Sequence, residues 1–327
     1  MSTKNKILEM LEINRGKIIS GEEIASVLGI SRSAIWKAMK SLKDSGYEII
    51  TLPAKGYILN DDNNILTIQS ILPYLARKND AEHISVYKII DSTNTAAKKE
   101  AISGAPHGTV IIADTQTAGR GRYGRSFFSP PKTGLYMSLV IKLQNLNLPS
   151  AQSVTLLSAI AVCRAIKAVC NRDANIKWVN DIFYDGKKVC GISNESVIAL
   201  ESGTAEWVVI GIGVNVKTYQ FPDNIGNIAG ALSPDIPLGT ARSKLAAEII
   251  NTLLNPEALE FESILNEYKS HLNFLGKIIS VNNTVTNDCY DAVALDIDEF
   301  GGLIVRTQSN EIKSLSSGEI RIKLTSN

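Results

Sequence analysis

The stretch SGEEIASVLGISRSAIWKAMKSLKDSG, residues 20–46, decides how the N-terminal part of the chain folds. Ser20 is a good helix N-cap, and Gly29 is a natural C-cap for the short helix between them. Ser31 caps a second helix, which runs to Gly46. Two short helices joined by a tight Gly-Ile-Ser turn are typical of a helix-turn-helix.

The second of these helices carries polar and basic residues on its outward face. In a helix-turn-helix this helix enters the major groove of DNA, with its N-terminal residues at the base edges. Strand-like runs at 47–51 and 56–59 predict a wing, and residues 1–60 hold nine Lys or Arg against six Asp or Glu, a net charge of +3. This favours DNA over the alternative, a winged helix that binds protein. The candidate DNA-binding residues are Ser31, Arg32, Ser33, Trp36, Lys37 and Lys40.

Composition limits the class of protein. The 327 residues are 44% hydrophobic and 20% charged, which is typical of a soluble globular protein with two or three domains. The net charge of +1 means that any binding to nucleic acid must come from a local patch. The N-terminus lacks the pattern of a secretory signal, and the most apolar run, 154–170, is interrupted by Arg164 and Lys167. We therefore expect a cytoplasmic protein that does not engage a membrane.

The cysteines and histidines are dispersed along the chain. No CxxC pair occurs, and the spacing favours buried reduced thiols over disulfides or a zinc site. The four cysteines are Cys163, Cys170, Cys190 and Cys289. The three histidines are isolated from one another, so the sequence identifies no metal ligands.

The chain divides into three segments. The polar stretch DDNN, residues 61–64, is suited to a linker after the winged helix. Residues 84–232 alternate strand-like runs with helices, which predicts an α+β or mixed-sheet domain. After Asn273, short strands separated by Asn-Asn, Gly-Gly and Ser-Gly turns predict a small β-barrel. We expect domains at 1–62, 63–272 and 273–327.

The loop GRGRYGR, residues 119–125, is the first candidate ligand site in the central segment. Its glycines allow positive φ and close backbone approach, and its arginines are permanently charged groups that match carboxylate or phosphate oxygens. The pattern predicts an anion site for a small molecule. A basic surface loop and an RNA-binding segment are the alternatives that the loop alone leaves open.

The motif KWVND, residues 177–181, precedes the hairpin signal Asp185-Gly186. Lys187 and Lys188 leave that hairpin on opposite faces because strand side chains alternate. One lysine can therefore point into a site while the other stays in solvent. The alternative is that both are ordinary surface lysines.

Two further motifs complete the candidate site. The run DSTNT, residues 91–95, can cap the next helix, and it can equally bind a polar ligand at the helix N-terminus. The run GIGVNV, residues 211–216, lacks the third glycine of a dinucleotide fingerprint, and no GxxxxGK[ST] occurs. Nicotinamide binding and a P-loop ATPase are both disfavoured. In GIGVNV the glycines are also compatible with a buried strand in which they ease packing.

Taken in order, STN at 92–94, Gln116 with GRGR at 119–122, KWVND, Lys188 and GIGVNV resemble the motifs of biotin protein ligases. The N-terminal winged helix and C-terminal barrel resemble the branch that is both ligase and biotin-operon repressor. The resemblance implies an α+β chain with an N-terminal winged helix-turn-helix, a central mixed-sheet ligase domain similar to class II aminoacyl-tRNA synthetases, and a C-terminal SH3-like β-barrel.

The resemblance also implies a set of site residues. Arg122 and Lys188 are the implied catalytic groups: Arg122 helps to retain the intermediate, and Lys188 neutralises charge where carboxylate meets phosphate. The residues implied to contact biotin or its adenylate are Ser92, Thr93, Asn94, Gln116, Arg120, Gly121, Arg122, Lys188, Gly211 and Asn215. This chain departs from the family at Val179, where proline is usual, at Tyr123, where arginine is common, and at 191–195, which replaces a more apolar run.

The implied activity has two steps and two partners. Biotin and MgATP form biotinyl-5′-adenylate, and the acyl group then passes to a lysine of a biotin carboxyl carrier domain. Biotin and ATP with Mg²⁺ are substrates, and no tightly bound cofactor is expected. The other partners implied are operator DNA and, once adenylate is bound, a second copy of the chain. The alternatives are a biotin-sensing transcription factor without catalysis, a ligase without operator binding, and a lipoate ligase.

Overall fold

The computed structural model describes residues 2–145, 148, 150–198, 205–255, 260–282, 289–316 and 318–322. Its first part is a winged helix, in which Ser20 and Ser31 cap their helices as predicted and Gly29 ends the first of them in the left-handed conformation. The elements are α1 (Thr3–Ile13), α2 (Gly21–Leu28), α3 (Arg32–Asp44), β1 (Ile49–Leu52) and β2 (Gly56–Leu59). The antiparallel pair β1–β2 is the wing.

The junction after the winged helix differs from the linker that the sequence predicts. Asn63 is only 1% exposed. The Arg15 guanidinium donates to the backbone oxygens of Asn60, Asp61 and Asn63, and it also bonds to Glu12 at 2.6 Å. Composition alone misleads here, because backbone oxygens of this stretch accept hydrogen bonds from the Arg15 side chain. The junction is therefore a packed part of the fold.

The central segment is built on a mixed sheet. Its strands are β3 (Ile84–Tyr87), β4 (Thr109–Ala113), β5 (Gly134–Lys142), β6 (Asn175–Lys177), β7 (Asp181–Tyr184), β8 (Lys187–Ile198) and β9 (Ala205–Asn215). The described strands lie in the order β3-β4-β5-β9-β8-β7-β6, and β3–β4 is the parallel pair among them. The predicted hairpin is present: Asp185 and Gly186 both have positive φ between β7 and β8.

Helices cover this sheet unequally. They are α4 (Ile68–Ile71), α5 (Thr93–Ile102), α6 (Ala151–Cys170), α7 (Asp223–Gly226), α8 (Leu238–Leu254) and α9 (Phe261–Ser270). The large core lies on the side of α6 and α8 and takes alternate residues of β5 and β9, such as Met137 and Ile212. The opposite face holds α5 through Ala97, Ala101 and a small apolar cluster, and the rest of that face is left for a site.

The helix α6 is long and apolar enough to cross a membrane by composition, but 72% of its most apolar window is buried inside the protein. It is the core helix that the sequence predicts. Cys163, Cys170 and Cys190 are buried free thiols, as expected. The expectation of burial is wrong for Cys289, which is exposed at the start of a C-terminal strand.

The C-terminal segment is an antiparallel sheet that shares the large core. Its strands are β10 (Ile278–Asn282), β11 (Cys289–Ile297), β12 (Leu303–Thr307), β13 (Ile312–Leu315) and β14 (Glu319–Ile322), in the order β13-β12-β11-β10-β14. Trp178 donates its indole N–H to the Gly301 carbonyl at 3.1 Å, which ties the turn before β12 to the central segment. The predicted α+β class, with its helix-turn-helix, mixed sheet and C-terminal strands, is confirmed.

The buried pair at the junction leads to a stability prediction. Arg15→Ala leaves the Glu12 carboxyl, whose pKa burial already raises, without its partner. Breaking one side of a buried ion pair costs about 3 kcal/mol or more. We expect hydrogen exchange to show a loss of that order in the opening free energy of amides in α1 and β2.

The matched control is Lys167→Ala, which removes an exposed ion pair with Asp173. Surface pairs contribute about 0–1 kcal/mol, so this variant should keep the exchange pattern of the parent protein. Unchanged protection of α1 and β2 in Arg15→Ala would show that the junction does not depend on this pair.

Candidate functional site

The uncovered part of the sheet carries small residues on three neighbouring strands. Ser138 on β5, Gly211 on β9 and Ser193 on β8 are in register. A Cβ atom on Gly211 would lie 2.1 Å from Oδ1 of Asn94, in the first turn of α5. The glycine is therefore required for α5 to approach the sheet this closely.

A cavity of about 420 Å³ opens beside this contact. All ten residues that the resemblance implies for biotin or adenylate binding line it, although they come from four separate parts of the sequence. They are Ser92, Thr93, Asn94, Gln116, Arg120, Gly121, Arg122, Lys188, Gly211 and Asn215. The structure thus brings the whole predicted set together. A cavity of this volume is in the usual range for a small-molecule site.

The STN motif forms a bonded cluster at the start of α5. Ser92 caps the helix by accepting from Thr95 N, the default role of such a residue. The Thr93 backbone N–H donates to Oε1 of Gln116 at 2.9 Å, and Gln116 Nε2 donates to the Ser129 hydroxyl at 2.9 Å. The amide of Gln116 is therefore held in one orientation at the cavity wall.

Asn94 connects this cluster to β8. Its Nδ2 donates to the Ser193 hydroxyl at 3.1 Å and to Oε1 of Glu195 at 2.8 Å, while Oδ1 accepts from the Ser138 hydroxyl at 2.6 Å. Burial opposes ionisation of the Glu195 carboxyl, but hydrogen bonds from Lys98 and Asn94 hold its pKa below the usual value. Sequence reasoning missed Ser138, Ser193 and Glu195. Strand alternation across from Gly211 is the signal that would have found them.

The glycine–arginine loop folds back on itself. Phe127 N donates to Gly119 O at 2.8 Å, and Gly121 N donates to Arg125 O at 2.7 Å. A Cβ on Gly119 would meet Phe127 O at 2.7 Å, so close backbone approach explains this glycine. Among the three glycines of the loop, only Gly124 has a positive φ, at +74°. A left-handed backbone conformation therefore accounts for the glycine at this position alone.

The hairpin supplies the opposite wall of the cavity. Lys188 pairs with Asp181 at 2.6 Å inside the cavity, whereas Lys187 points away and donates to Asn227 O at 2.6 Å. The two lysines therefore differ as strand alternation predicts. Arg122 reaches across from the loop and donates to Oδ1 of Asn180 at 2.8 Å. The Trp178–Val179 peptide bond in this motif is cis.

The charge of the cavity is strongly positive. Among its described lining residues, Asp181 is the one carboxylate. The cations are Arg120, Arg122, Arg125, Lys177 and Lys188. Five cations around a small cavity favour a ligand with several negative charges. Across the described residues, no group of three or more His, Cys, Asp or Glu is placed to hold a metal ion.

Aromatic rings close the remaining sides, and sequence reasoning missed them. The ring of Phe127 lies on Gly213, where a Cβ would come within 2.5 Å of it. Phe128 and Phe221 meet edge to face with centroids 6.3 Å apart. Such rings can enclose a flat apolar or heterocyclic group. The charged and aromatic parts together suit a ligand with an anionic centre and a planar end.

The second candidate surface is the outward face of α3. All six predicted DNA-binding residues are exposed, with Ser31 as the N-cap of the helix. Trp36 is 59% exposed, and the Lys40 ammonium lies 5.6 Å from the centroid of its ring. Ile35 and Met39 on the opposite side of α3 are buried in the winged-helix core. The polar face of α3 is therefore exposed, and its apolar face is buried.

Comparison with protein families matches all three segments. Residues 86–215 match the biotin/lipoate A/B protein ligase family, residues 3–58 match a helix-turn-helix domain, and residues 274–322 match the biotin protein ligase C-terminal domain. The biotin protein ligase from Aquifex aeolicus, solved with biotin and ATP, is similar in fold: the TM-score is 0.61 at 24% identity, over 74% of this chain and 99% of that one.

Full-length relatives narrow the family. The bifunctional ligase/repressor BirA of Bacillus subtilis is 32% identical over 332 residues, covering 98% of each chain. The protein of the same name from Escherichia coli is 30% identical over 310 residues, covering 94% of each chain. The resemblance inferred from the motifs is confirmed. This chain belongs to the family of the bifunctional ligase/repressor BirA.

Proposed function

We propose that this chain is an ATP-dependent biotin protein ligase that also represses biotin genes. It forms biotinyl-5′-AMP from biotin and ATP, transfers biotin to a lysine of a biotin carboxyl carrier protein, and acts as a repressor in response to biotinyl-AMP. The observation that carries the proposal is that all ten implied residues line one positively charged cavity, in a chain of this family. We assign DNA binding to 1–62, catalysis to 63–272 and the C-terminal barrel to 273–327.

The first step joins two anions and so depends on charge. The biotin carboxylate oxygen attacks the α-phosphorus of MgATP and forms an acyl–phosphate bond. The bond from that phosphorus to the oxygen bridging to the β-phosphate breaks, and pyrophosphate leaves. Repulsion between carboxylate and phosphate opposes this approach, and fixed cations offset it. Lys188 is suited to this place because its ammonium already lies in the cavity, paired with Asp181. We propose that Lys188 exchanges that partner for the reacting anions.

The second step needs the adenylate to be kept from water. The carrier lysine amine attacks the acyl carbon, an amide bond forms, and AMP leaves. The glycine–arginine loop is suited to cover the intermediate, since Arg122 already spans from the loop to Asn180. Excluding water also strengthens each charge interaction inside the cavity. We propose that Arg122 retains the adenylate until the carrier docks. Substrates of this kind need no tightly bound cofactor.

The catalytic proposal is tested by incubating the protein with biotin, MgATP and a biotin carboxyl carrier domain, followed by avidin detection. The parent protein should label the carrier. Lys188→Ala should lower the rate of adenylate formation about 10²-fold or more, the scale for loss of one electrostatic catalytic group. Pyrophosphate release reports that first step directly.

Lys187→Ala is the matched control, because Lys187 is the neighbouring lysine and points out of the cavity. Its rate should stay within about twofold of the parent, as for surface substitutions in general. Near-normal pyrophosphate release by Lys188→Ala would refute the role assigned to Lys188. A parent protein that leaves the carrier unlabelled would refute ligase activity and favour the sensor without catalysis, or lipoate as the acyl substrate.

The repressor proposal rests on the exposed face of α3, and it is tested by gel shift on the promoters of the protein's own biotin genes. Lys37→Ala should weaken binding, and the slope of log affinity against log salt should fall by about 1 if Lys37 contacts a phosphate. Lys167→Ala, which lies outside the winged helix, should bind as the parent does. If the parent protein binds these promoters no better than unrelated DNA, the chain is a ligase without an operator.

We further propose that the adenylate promotes a homodimer in the cytoplasm, since a two-fold dimer suits a palindromic operator. Sedimentation velocity with biotin and MgATP together should show a dimer at protein concentrations where the unliganded protein is smaller. A sedimentation coefficient unchanged by both ligands would contradict adenylate-dependent assembly. Biotin or ATP alone are the controls, because neither forms the adenylate without the other.

A further inference from the structure

Glu195 lies just outside the cavity and touches one of its walls. It is on the same face of β8 as Ser193, two residues away, and its side chain is 37% exposed. One carboxylate oxygen accepts from Asn94 Nδ2 at 2.8 Å. The other is paired with Lys98, one turn beyond Asn94 on α5. Glu195 therefore bridges two successive turns of the helix whose first turn forms the cavity wall.

The contact with Glu195 limits the hydrogen bonds that Asn94 can make with a ligand. An amide side chain has two N–H donors and an oxygen with two acceptor sites. Ser193 and Glu195 take the two donors, and the Ser138 hydroxyl fills one acceptor site. One acceptor site of Oδ1 remains on a side chain that is 5% exposed and lines the cavity. With Glu195 in place, Asn94 can only accept a hydrogen bond from a ligand.

We propose that Glu195 is a positioning residue that holds Asn94 with its amide oxygen as an acceptor, so that this wall of the cavity selects a ligand N–H group. The inference rests on the proposed function, in which the ligand is biotin and its ureido ring supplies such N–H groups. Glu195 acts through Asn94 and touches no reacting atom. Its effect is therefore on the binding of the biotin ring and not on the chemistry at phosphorus.

A purely structural role, anchoring α5 to the sheet, predicts different behaviour. The helix is already held by Ala97 and Ala101, which pack on Ile111, Val140 and Val209. An ion pair with side chains 39% and 37% exposed adds little to that anchor. The hydrogen bond from the almost fully buried amide of Asn94 is the contact that fixes how this side chain meets a ligand. A structural role would affect both substrates alike, whereas a positioning role affects one.

The test is steady-state pyrophosphate release by the full-length protein with biotin and MgATP varied in turn. Glu195→Ala should raise KM for biotin about tenfold, the effect of losing one well-placed hydrogen bond. KM for ATP and kcat should stay within about twofold, because the lost contact is the same in the ground and transition states. Glu195→Gln, whose amide oxygen still accepts from Asn94, should restore KM for biotin to within about threefold.

Two further variants complete the test. Glu206→Ala removes a comparable ion pair, with Lys142 on the same sheet at 3.3 Å, and should change neither KM. Glu195→Asp keeps the charge but withdraws the carboxylate by one methylene, so it should raise KM for biotin several-fold. If Glu195→Ala fails to fold, Glu195→Asp replaces it in the measurement.

The proposal is overturned if KM for biotin stays unchanged in Glu195→Ala and Glu195→Asp, or if both KM values and kcat change together without rescue by Glu195→Gln. The parent protein separates this failure from that of the proposed function. Biotin-dependent pyrophosphate release by the parent leaves the function standing whatever the Glu195 variants do. Its absence refutes the ligase itself.

Discussion

The site depends on the close approach of Asn94 to β9, which is possible only because residue 211 has no side chain. Ser138 and Ser193 flank Gly211 in register, so a strip of small residues crosses three central strands. Asn94 fills the space above this strip and bonds to both serines. In the next row Gly213 and Gly191 also lack side chains, and the ring of Phe127 covers them and meets the edge of Tyr136 on β5. A ligand cavity remains on this face because the glycines of β8 and β9 leave space there.

Hydrogen bonds from buried arginines join the central sheet to the helix α8 and to the junction after the winged helix. Arg242 on α8 is completely buried and donates to Gly134 O at the start of β5 and to Asn64 at the junction. It also pairs with Asp114, two residues before Gln116 in the cavity wall. The junction is held a second time by Arg15. Hydrogen bonds from two buried arginines thus fix the junction after the winged helix to the scaffold of the cavity.

Much of this arrangement was predictable from the sequence, and the failures have physical reasons. Local signals were reliable: the serine caps, the Asp185-Gly186 turn and the alternation of Lys187 and Lys188 depend only on neighbouring residues. The order of the motifs identified the residues of the cavity. Glu195 and the aromatic rings were missed because their importance comes from contacts between distant strands. The polar stretch at 61–64 was misjudged because nothing nearby in the sequence shows that Arg15 and Arg242 donate hydrogen bonds to it.

The most direct test of this cavity as the ligase site is a crystal structure of the protein with a non-hydrolysable analogue of biotinyl-5′-AMP. We expect electron density in the cavity, with the biotin ring against Asn94 and Gln116 and the phosphate within hydrogen-bonding distance of Lys188. We also expect that Lys188 has left Asp181 for the ligand and that the loop at 119–125 has closed over it. Density for the analogue at any other place, or a cavity that stays empty at saturating analogue, would contradict the assignment of this cavity.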